Sequence, residues 1–322
     1  MRDAAPQTIH LKDYTPFGYT VDKVHLTFDL APNATRVTSR IKFSPIKGAK
    51  DATFFLHGEN LKLRSAKIDG EAVKTKVTSE GLTCDVPNIP FIWECEVQID
   101  PAANTALEGL YQSSGMYCTQ CEAEGFRKIT YYPDRPDVMS TFTVRINGPH
   151  STLLSNGNPV ASGDGWAEWH DPWPKPAYLF ALVAGELIAH PGKFTTASGR
   201  KVDLNFYVRP GDGGKCAFGM QALKDSMKWD EDVYGREYDL DIFNIVAVDD
   251  FNMGAMENKG LNIFNSSAVL ASPETSTDMN FERIEAIIAH EYFHNWTGNR
   301  ITCRDWFQLC LKEGLTVYRD SQ

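Results

Sequence analysis

The sequence has 322 residues, which at about 150 residues per domain predicts two domains rather than one small module. Hydrophobic residues make up 42% and charged residues 23% of the chain, so sizeable cores are expected and disorder is excluded. The formal net charge is −10 and no basic run is present, which argues against nucleic acid as a partner.

The sequence favours neither a membrane nor a secreted protein. The longest apolar run, at 177–185, is about half the length that spans a bilayer, so it predicts a buried strand. The first residues contain no apolar stretch of signal-peptide length. The 7 cysteines are an odd number without a disulfide-framework spacing, so reduced thiols and a cytoplasmic location are expected.

Apolar and polar residues alternate from Val21 to about Ala189, which predicts β-strands. Asp69-Gly70 and Asn156-Gly157 are turn signals between such runs. We therefore expect residues 1–190 to form an antiparallel β-sandwich or saddle domain. The polar, glycine-containing stretch at 190–200 marks the expected boundary.

Residues 191–322 are expected to form a second domain of mixed α and β structure. Strands are predicted at 201–208, 242–248 and 260–264, and Met220, Leu223 and Met227 have helical spacing. A helix is predicted at 280–297, with Thr277 or Asp278 as its N-cap and Gly298 after its end. A further helix is predicted from near Asp305 and still running at Gln322.

The first of these helices carries the sequence HEYFH at 290–294, an HExxH motif. Because residues four apart share one helix face, His290 and His294 can bind the same metal, and Glu291 can reach a water bound to it. Chance produces such a motif with a probability of roughly one in a hundred, so a third ligand is the test. Thr297 and Arg300 stand where metzincins have glycine and histidine, which excludes that class.

Glu313 on the next helix is the candidate third ligand, with 18 residues between it and His294. Two histidines and one glutamate leave a coordination position open for water, as in a catalytic zinc site. Zinc lowers the pKa of its water, and Glu291 can take the proton as general base, which indicates amide hydrolysis. Asp320 is a candidate partner for an imidazole, with an exposed, solvated position as the alternative.

The sequence GAMEN at 254–258, followed by HEYFHNW and WFQLCLKEGLTVYRD, resembles the zinc aminopeptidase N family of gluzincin metallopeptidases, of the bacterial alanyl aminopeptidase type. The resemblance extends back through 117–139 to much of the N-terminal half. It implies an enzyme with one Zn²⁺ per chain that removes N-terminal residues from peptides. It also implies that the β domain is followed by the first part of a thermolysin-like catalytic domain.

The resemblance also assigns a substrate site. It implies that Glu257 and Glu122 bind the free α-amine of the peptide, with Gln120 beside them. It implies that the backbone of Gly254 and Ala255 pairs with the extended peptide and that Met253 lines the pocket for the first side chain. A carboxylate fixed beside the zinc would measure the distance to a terminal ammonium by charge-assisted hydrogen bonding.

The family's downstream oxyanion tyrosine is not matched, because Tyr318 is the only tyrosine after Glu313 and lies in the same helix. The sequence therefore resembles an N-terminal portion, expected to be monomeric. The alternatives are a weak or inactive fragment that only binds zinc and peptide, a relative with another hydrolysis such as epoxide opening, and a β-domain binding platform. Cys118 and Cys121 form a CxxC pair, for which buried, idle thiols are expected rather than a redox or metal role.

Overall fold

The computed structural model describes residues 8–49 and 53–322. Its N-terminal part is built from fifteen strands. In chain order they are β1 Tyr19–Asp29, β2 Thr35–Pro45, β3 Phe55–His57, β4 Lys62–Ile68, β5 Glu71–Ala72, β6 Lys76–Val77, β7 Gly81–Thr83, β8 Phe91–Ile99, β9 Gly109–Ser113, β10 Met116–Gln120, β11 Ser140–Asn147, β12 Thr152–Ser155, β13 Asn158–Gly163, β14 Trp166–Lys175 and β15 Leu182–Gly185.

These strands form three sheets. The largest has the order β13-β14-β11-β1-β2-β8-β4-β5, a second has the order β12-β15-β10-β9, and a third has the order β3-β7-β6. The pairing is antiparallel except between β1 and β11, which run parallel, so the expectation of antiparallel sheets needs this one correction. The segment at 177–185 is buried as expected, but it begins as a 3₁₀ turn, Ala177–Leu179, before β15.

The apolar residues that alternate with polar ones in the sequence are the residues that the sheet buries on one face. In β8, every second side chain from Phe91 to Ile99 is buried, because successive side chains of a strand point to opposite faces. On β1 of the same sheet, the ring of Phe28 lies 5.9 Å from the ring of Phe180, which shortly precedes β15 of the second sheet. One hydrophobic core therefore unites the sheets.

The C-terminal part has a five-stranded mixed sheet with the order β16-β17-β18-β20-β19. Its strands are β16 Ile188–Thr195, β17 Lys201–Val208, β18 Ile242–Val248, β19 Ala255–Met256 and β20 Leu261–Asn265. The helix α1 Ala217–Tyr234 buries Met220, Leu223 and Met227 against this sheet, as their spacing predicts. The fold class expected from the sequence, a β domain followed by an α/β portion, is confirmed.

Two further helices, α2 Asp278–Phe293 and α3 Leu309–Asp320, carry the candidate site. Thr277, one of the two predicted N-cap candidates, is the N-cap of α2, and it also forms a capping box with Asn280. The helix ends four residues before the expected Thr297, because the chain turns after Phe293 and its next residues contact other segments. Similarly, α3 ends at Asp320 and is not running at Gln322.

The stretch at 190–200, expected to mark a domain boundary, lies within a hairpin of β16 and β17. β16 begins at Ile188 and pairs with β17 along its whole length, so the expected boundary after residue 190 falls inside a strand. Where one domain ends and the next begins stays a prediction. Within the described ranges, no helix is both long and apolar enough to cross a bilayer.

Candidate active site

Helices α2 and α3 pack together and bring the three predicted metal ligands to one point. The Nε2 atoms of His290 and His294 are 3.0 Å apart. Glu313 Oε2 on α3 lies 3.3 Å from His290 Nε2 and 3.4 Å from His294 Nε2. The spacing of four residues on α2 therefore directs both rings toward the carboxylate of the second helix.

This triangle fits a tetrahedral zinc ion. With metal–ligand bonds of about 2.0–2.1 Å, the edges of such a tetrahedron are about 3.3 Å, close to the three observed distances. The ring nitrogens that face away from the triangle are held by oxygen acceptors. His290 Nδ1 is 2.7 Å from Asp320 Oδ2, and His294 Nδ1 is 2.9 Å from the carbonyl oxygen of Thr297. Donation of Nδ1–H leaves both Nε2 lone pairs free for a metal.

Asp320 therefore contacts an imidazole, as one of its two sequence-based interpretations predicted, and is not an exposed, solvated residue. Although burial opposes protonation, the hydrogen bonds to Glu313 and Asp320 and the charge of Glu291 raise the pKa of His290 to about 9. The same pair of histidines, against the opposing effect of burial, holds the pKa of Glu313 well below its usual range. The cluster thus favours an ionised Glu313, the form that binds metal.

Glu291 lies beside the triangle and is 7% exposed. Its Oε2 is buried without a hydrogen-bond partner among the described residues. A carboxylate oxygen left unpaired in this way is expected where a ligand or water completes the site. Burial and the nearby charge of Glu257 raise the pKa of Glu291 to about 8, in the range that suits a general base.

The predicted amine-binding carboxylates reach the same place from two distant segments. Glu122 follows β10 in the N-terminal part, and Glu257 follows β19 in the C-terminal part. Carboxylate oxygens of Glu122, Glu257 and Glu313 all lie within 4.8 Å of one another. Burial and the charge of Glu257 raise the pKa of Glu122 to about 7. The structure thus brings both glutamates beside the candidate metal ligand.

The GAMEN segment lies at the edge of the five-stranded sheet. Ala255 pairs with Phe264 of β20, and the other side of β19 has no strand partner in the described part of the chain. Gly254 precedes this edge strand, and its carbonyl oxygen accepts a hydrogen bond from the backbone of Asn265. An unpaired strand edge can add an extended peptide as a further strand.

Gln120 and Met253, the remaining predicted substrate residues, contact each other. Gln120 Nε2 is 2.9 Å from Met253 Sδ, and the buried Oε1 of Gln120 has no hydrogen-bond partner within the part of the chain that the structure describes. Met253 is 44% exposed, so this side of the site is open to solvent. This contact joins the end of β10 to the segment that leads into GAMEN.

Sequence reasoning missed the residues that tie these segments together. Lys312 hydrogen-bonds Glu257 and Glu313 and forms an ion pair with Glu122. Asn299 Nδ2 donates to the carbonyl oxygen of Glu257 at 2.9 Å. Apart from Glu313, which is adjacent to Lys312, their partners lie far away in the sequence, so motif spacing contains no signal for these contacts.

Two other candidates stand apart from the site chemistry. Cys118 and Cys121 are both buried, free thiols, and burial raises the pKa of Cys118 to about 12. Thiols in this state are poorly reactive. Tyr318 is 58% exposed on α3.

Known proteins resemble this chain along almost its whole length. The chain matches the Peptidase M1 N-terminal domain over residues 16–179 and the Peptidase family M1 domain over residues 218–322. It is 58% identical to aminopeptidase N of Caulobacter vibrioides, covering 99% of this chain and 38% of that protein. It is 54% identical to aminopeptidase N of Escherichia coli, covering 98% of this chain and 37% of that protein.

A solved structure with the same fold is Legionella pneumophila aminopeptidase A in complex with aspartic acid. The TM-score is 0.92 at 38% identity, and the match covers 97% of this chain but 38% of that chain. The chain thus spans less than two fifths of the length of these proteins. From its two family matches and from its fold, this chain belongs to the M1 family of peptidases.

Proposed function

We propose that this chain carries the zinc site and the amine site of an aminopeptidase, which hydrolyses the N-terminal peptide bond of peptides. One observation carries the proposal. A triangle of ligand atoms with the dimensions of a zinc site lies directly beside the carboxylates of Glu122 and Glu257. An ammonium anchored on these carboxylates would bring the first peptide bond to the metal and no other.

His290, His294 and Glu313 would hold the zinc. When bound, zinc lowers the pKa of a water molecule and polarises a carbonyl oxygen. Glu291 accepts a proton from the attacking water and returns it to the nitrogen of the leaving peptide. Glu122 and Glu257 accept hydrogen bonds from the terminal ammonium, and the edge of β19 aligns the backbone of the substrate.

The test is hydrolysis of L-alanine p-nitroanilide by the purified 322-residue chain, with and without added Zn²⁺. The matched substrate is N-acetyl-L-alanine p-nitroanilide, and the matched variant is Glu291→Gln. Chelator-sensitive release from the free amine alone, abolished in the variant, is the expected result. Equal cleavage of the blocked substrate would overturn the amine site, and a chain that binds no zinc would overturn the metal site.

A second candidate function is a catalytically weak or inactive fragment that binds only zinc and peptide. The chain spans 38% of the length of the Caulobacter relative, so the activity of that whole protein is a proposal for this chain. One bound zinc per chain without release of nitroaniline would support it.

We also propose that the chain works in the cytoplasm. All of its cysteines are free, and several are buried away from oxidants. This fits a reducing compartment.

A further inference from the structure

Lys312 lies inside the acidic site, and its side chain is 1% exposed. Its Nζ is 2.7 Å from Glu257 Oε1, 2.9 Å from Glu122 Oε1 and 2.5 Å from Glu313 Oε1. An ammonium has three N–H donors, so these contacts use all of them. One side chain therefore joins the N-terminal part of the chain, the GAMEN segment and the metal-binding helix.

The three contacts orient each carboxylate. Glu313 turns Oε1 toward Lys312 and Oε2 toward the two histidines, so the ammonium selects the oxygen that faces the metal. Glu122 and Glu257 likewise give one oxygen each to Lys312. Lys312 does not contact the second oxygen of either carboxylate, and the direction of that oxygen follows from the first contact.

Lys312 also balances part of the negative charge of the site. Four carboxylates of the site carry one negative charge each when ionised, those of Glu122, Glu257, Glu291 and Glu313. Lys312 balances one of these charges, and a bound Zn²⁺ would balance two. One negative charge then remains for one substrate ammonium. Without Lys312, like charges would face each other in a buried site, and carboxylates in this situation move apart or bind other cations.

We propose that Lys312 is a positioning residue that holds the two amine-binding carboxylates and the metal-binding carboxylate in register, and that recognition of the substrate's free amine depends on it. This inference rests on the proposed function, which assigns Glu122 and Glu257 to the amine. Lys312 touches neither the metal nor the scissile bond and acts through the glutamates.

The experiment compares two zinc-binding probes that differ by one amine, L-alanine hydroxamate and propionohydroxamate. Their dissociation constants are measured by calorimetry on the zinc-saturated 322-residue chain. The dissociation constant of propionohydroxamate divided by that of L-alanine hydroxamate gives the preference for the amine. This ratio isolates the contribution of the amine, because both probes bind the metal in the same way. The variants are Lys312→Met and Lys312→Gln, and the control is Lys228→Met, which removes an exposed lysine paired with Asp232.

The expected result is a ratio about tenfold smaller in both Lys312 variants, which corresponds to the loss of about one charge-assisted hydrogen bond, and no change in the control. Binding of propionohydroxamate should change by less than about threefold, which a general loss of structure would not leave intact. Zinc affinity, measured by chelator competition, should also fall about tenfold, because Lys312 orients Glu313.

Each other outcome has a distinct meaning. An unchanged ratio in the variants, beside a clear preference for the amine in the unmodified chain, would overturn the role of Lys312 alone. A larger ratio would overturn it as well, because Lys312 would then be competing with the substrate's ammonium. No preference for the amine in the unmodified chain would overturn the amine site of the proposed function. Lys312→Gln keeps a hydrogen-bond donor and is the variant to read if Lys312→Met does not fold.

Discussion

The position of α3 depends on a buried ion pair that can be broken without touching any residue of the site. Arg319 on α3 pairs with Asp230 on α1, and their side chains are 5% and 0% exposed. The same guanidinium donates to the carbonyl oxygen of Phe293 at 3.0 Å and to Thr297 Oγ1 at 3.2 Å. It thus fastens α3 to α1 and to the end of α2.

We expect Asp230→Ala to lower the free energy of unfolding by about 3–5 kcal/mol, because it leaves a buried guanidinium without its counter-ion. The double variant Asp230→Leu with Arg319→Met removes both charges and should cost less than Asp230→Ala alone. The exposed pair of Lys193 and Asp203, with side chains 79% and 63% exposed, is the control. Asp203→Ala should cost less than about 1 kcal/mol.

The assay is urea unfolding at pH 7, followed by circular dichroism and tryptophan fluorescence, with zinc affinity measured on the folded variants. Zinc binding should weaken in Asp230→Ala, because α3 carries Glu313 and Asp320. Two results would refute the role of this pair. One is a loss in the free energy of unfolding below about 1 kcal/mol for Asp230→Ala. The other is a loss in the double variant that equals the summed losses of Asp230→Leu and Arg319→Met measured singly.

Three other predictions concern single positions. Asp320→Asn should raise the zinc dissociation constant about 10- to 100-fold in a chelator competition, since Asp320 orients His290, and an unchanged constant would contradict this. Burial lowers the pKa of His57 to about 4, so its contribution to stability is lost as pH falls from 6.5 toward 4. The free energy of unfolding that is lost between pH 7 and pH 5, measured with urea, should therefore be about 2 kcal/mol smaller in His57→Gln than in the unmodified chain. Gly157→Ala should lower the melting temperature more than Gly199→Ala does. Both residues have positive φ, but only at Gly157 would the new Cβ meet backbone, the carbonyl oxygen of His170, at 2.2 Å.

Most secondary structure could be predicted from the sequence, because it depends on local periodicity and local hydrogen bonds. Alternation between Val21 and Ala189 predicted strands such as the one at Phe91–Ile99, and Thr277, one of two predicted caps, precedes α2. The HExxH spacing likewise sets two histidines on one helix face wherever that helix lies. Resemblance to a family supplied the amine-site glutamates, which periodicity alone would have left as solvated residues.

The ends of elements depended on tertiary contacts. The helix expected to reach Thr297 ends at Phe293, where Asn295 accepts a hydrogen bond from Lys259 and Asn299 donates to the carbonyl oxygen of Glu257. The parallel pairing of β1 with β11 likewise joins residues more than a hundred positions apart. No local pattern specifies such partners.

The sequence by itself determined which side chains can bind a metal, because ligand spacing on one helix is a local property. Only the tertiary structure decided that Glu313 closes the triangle, that Asp320 orients His290, and that Lys312 joins Glu122 to Glu257. These relations depend on how two helices and two sheets pack. Packing is set by the whole buried surface of the molecule, and a motif contains only its own few residues.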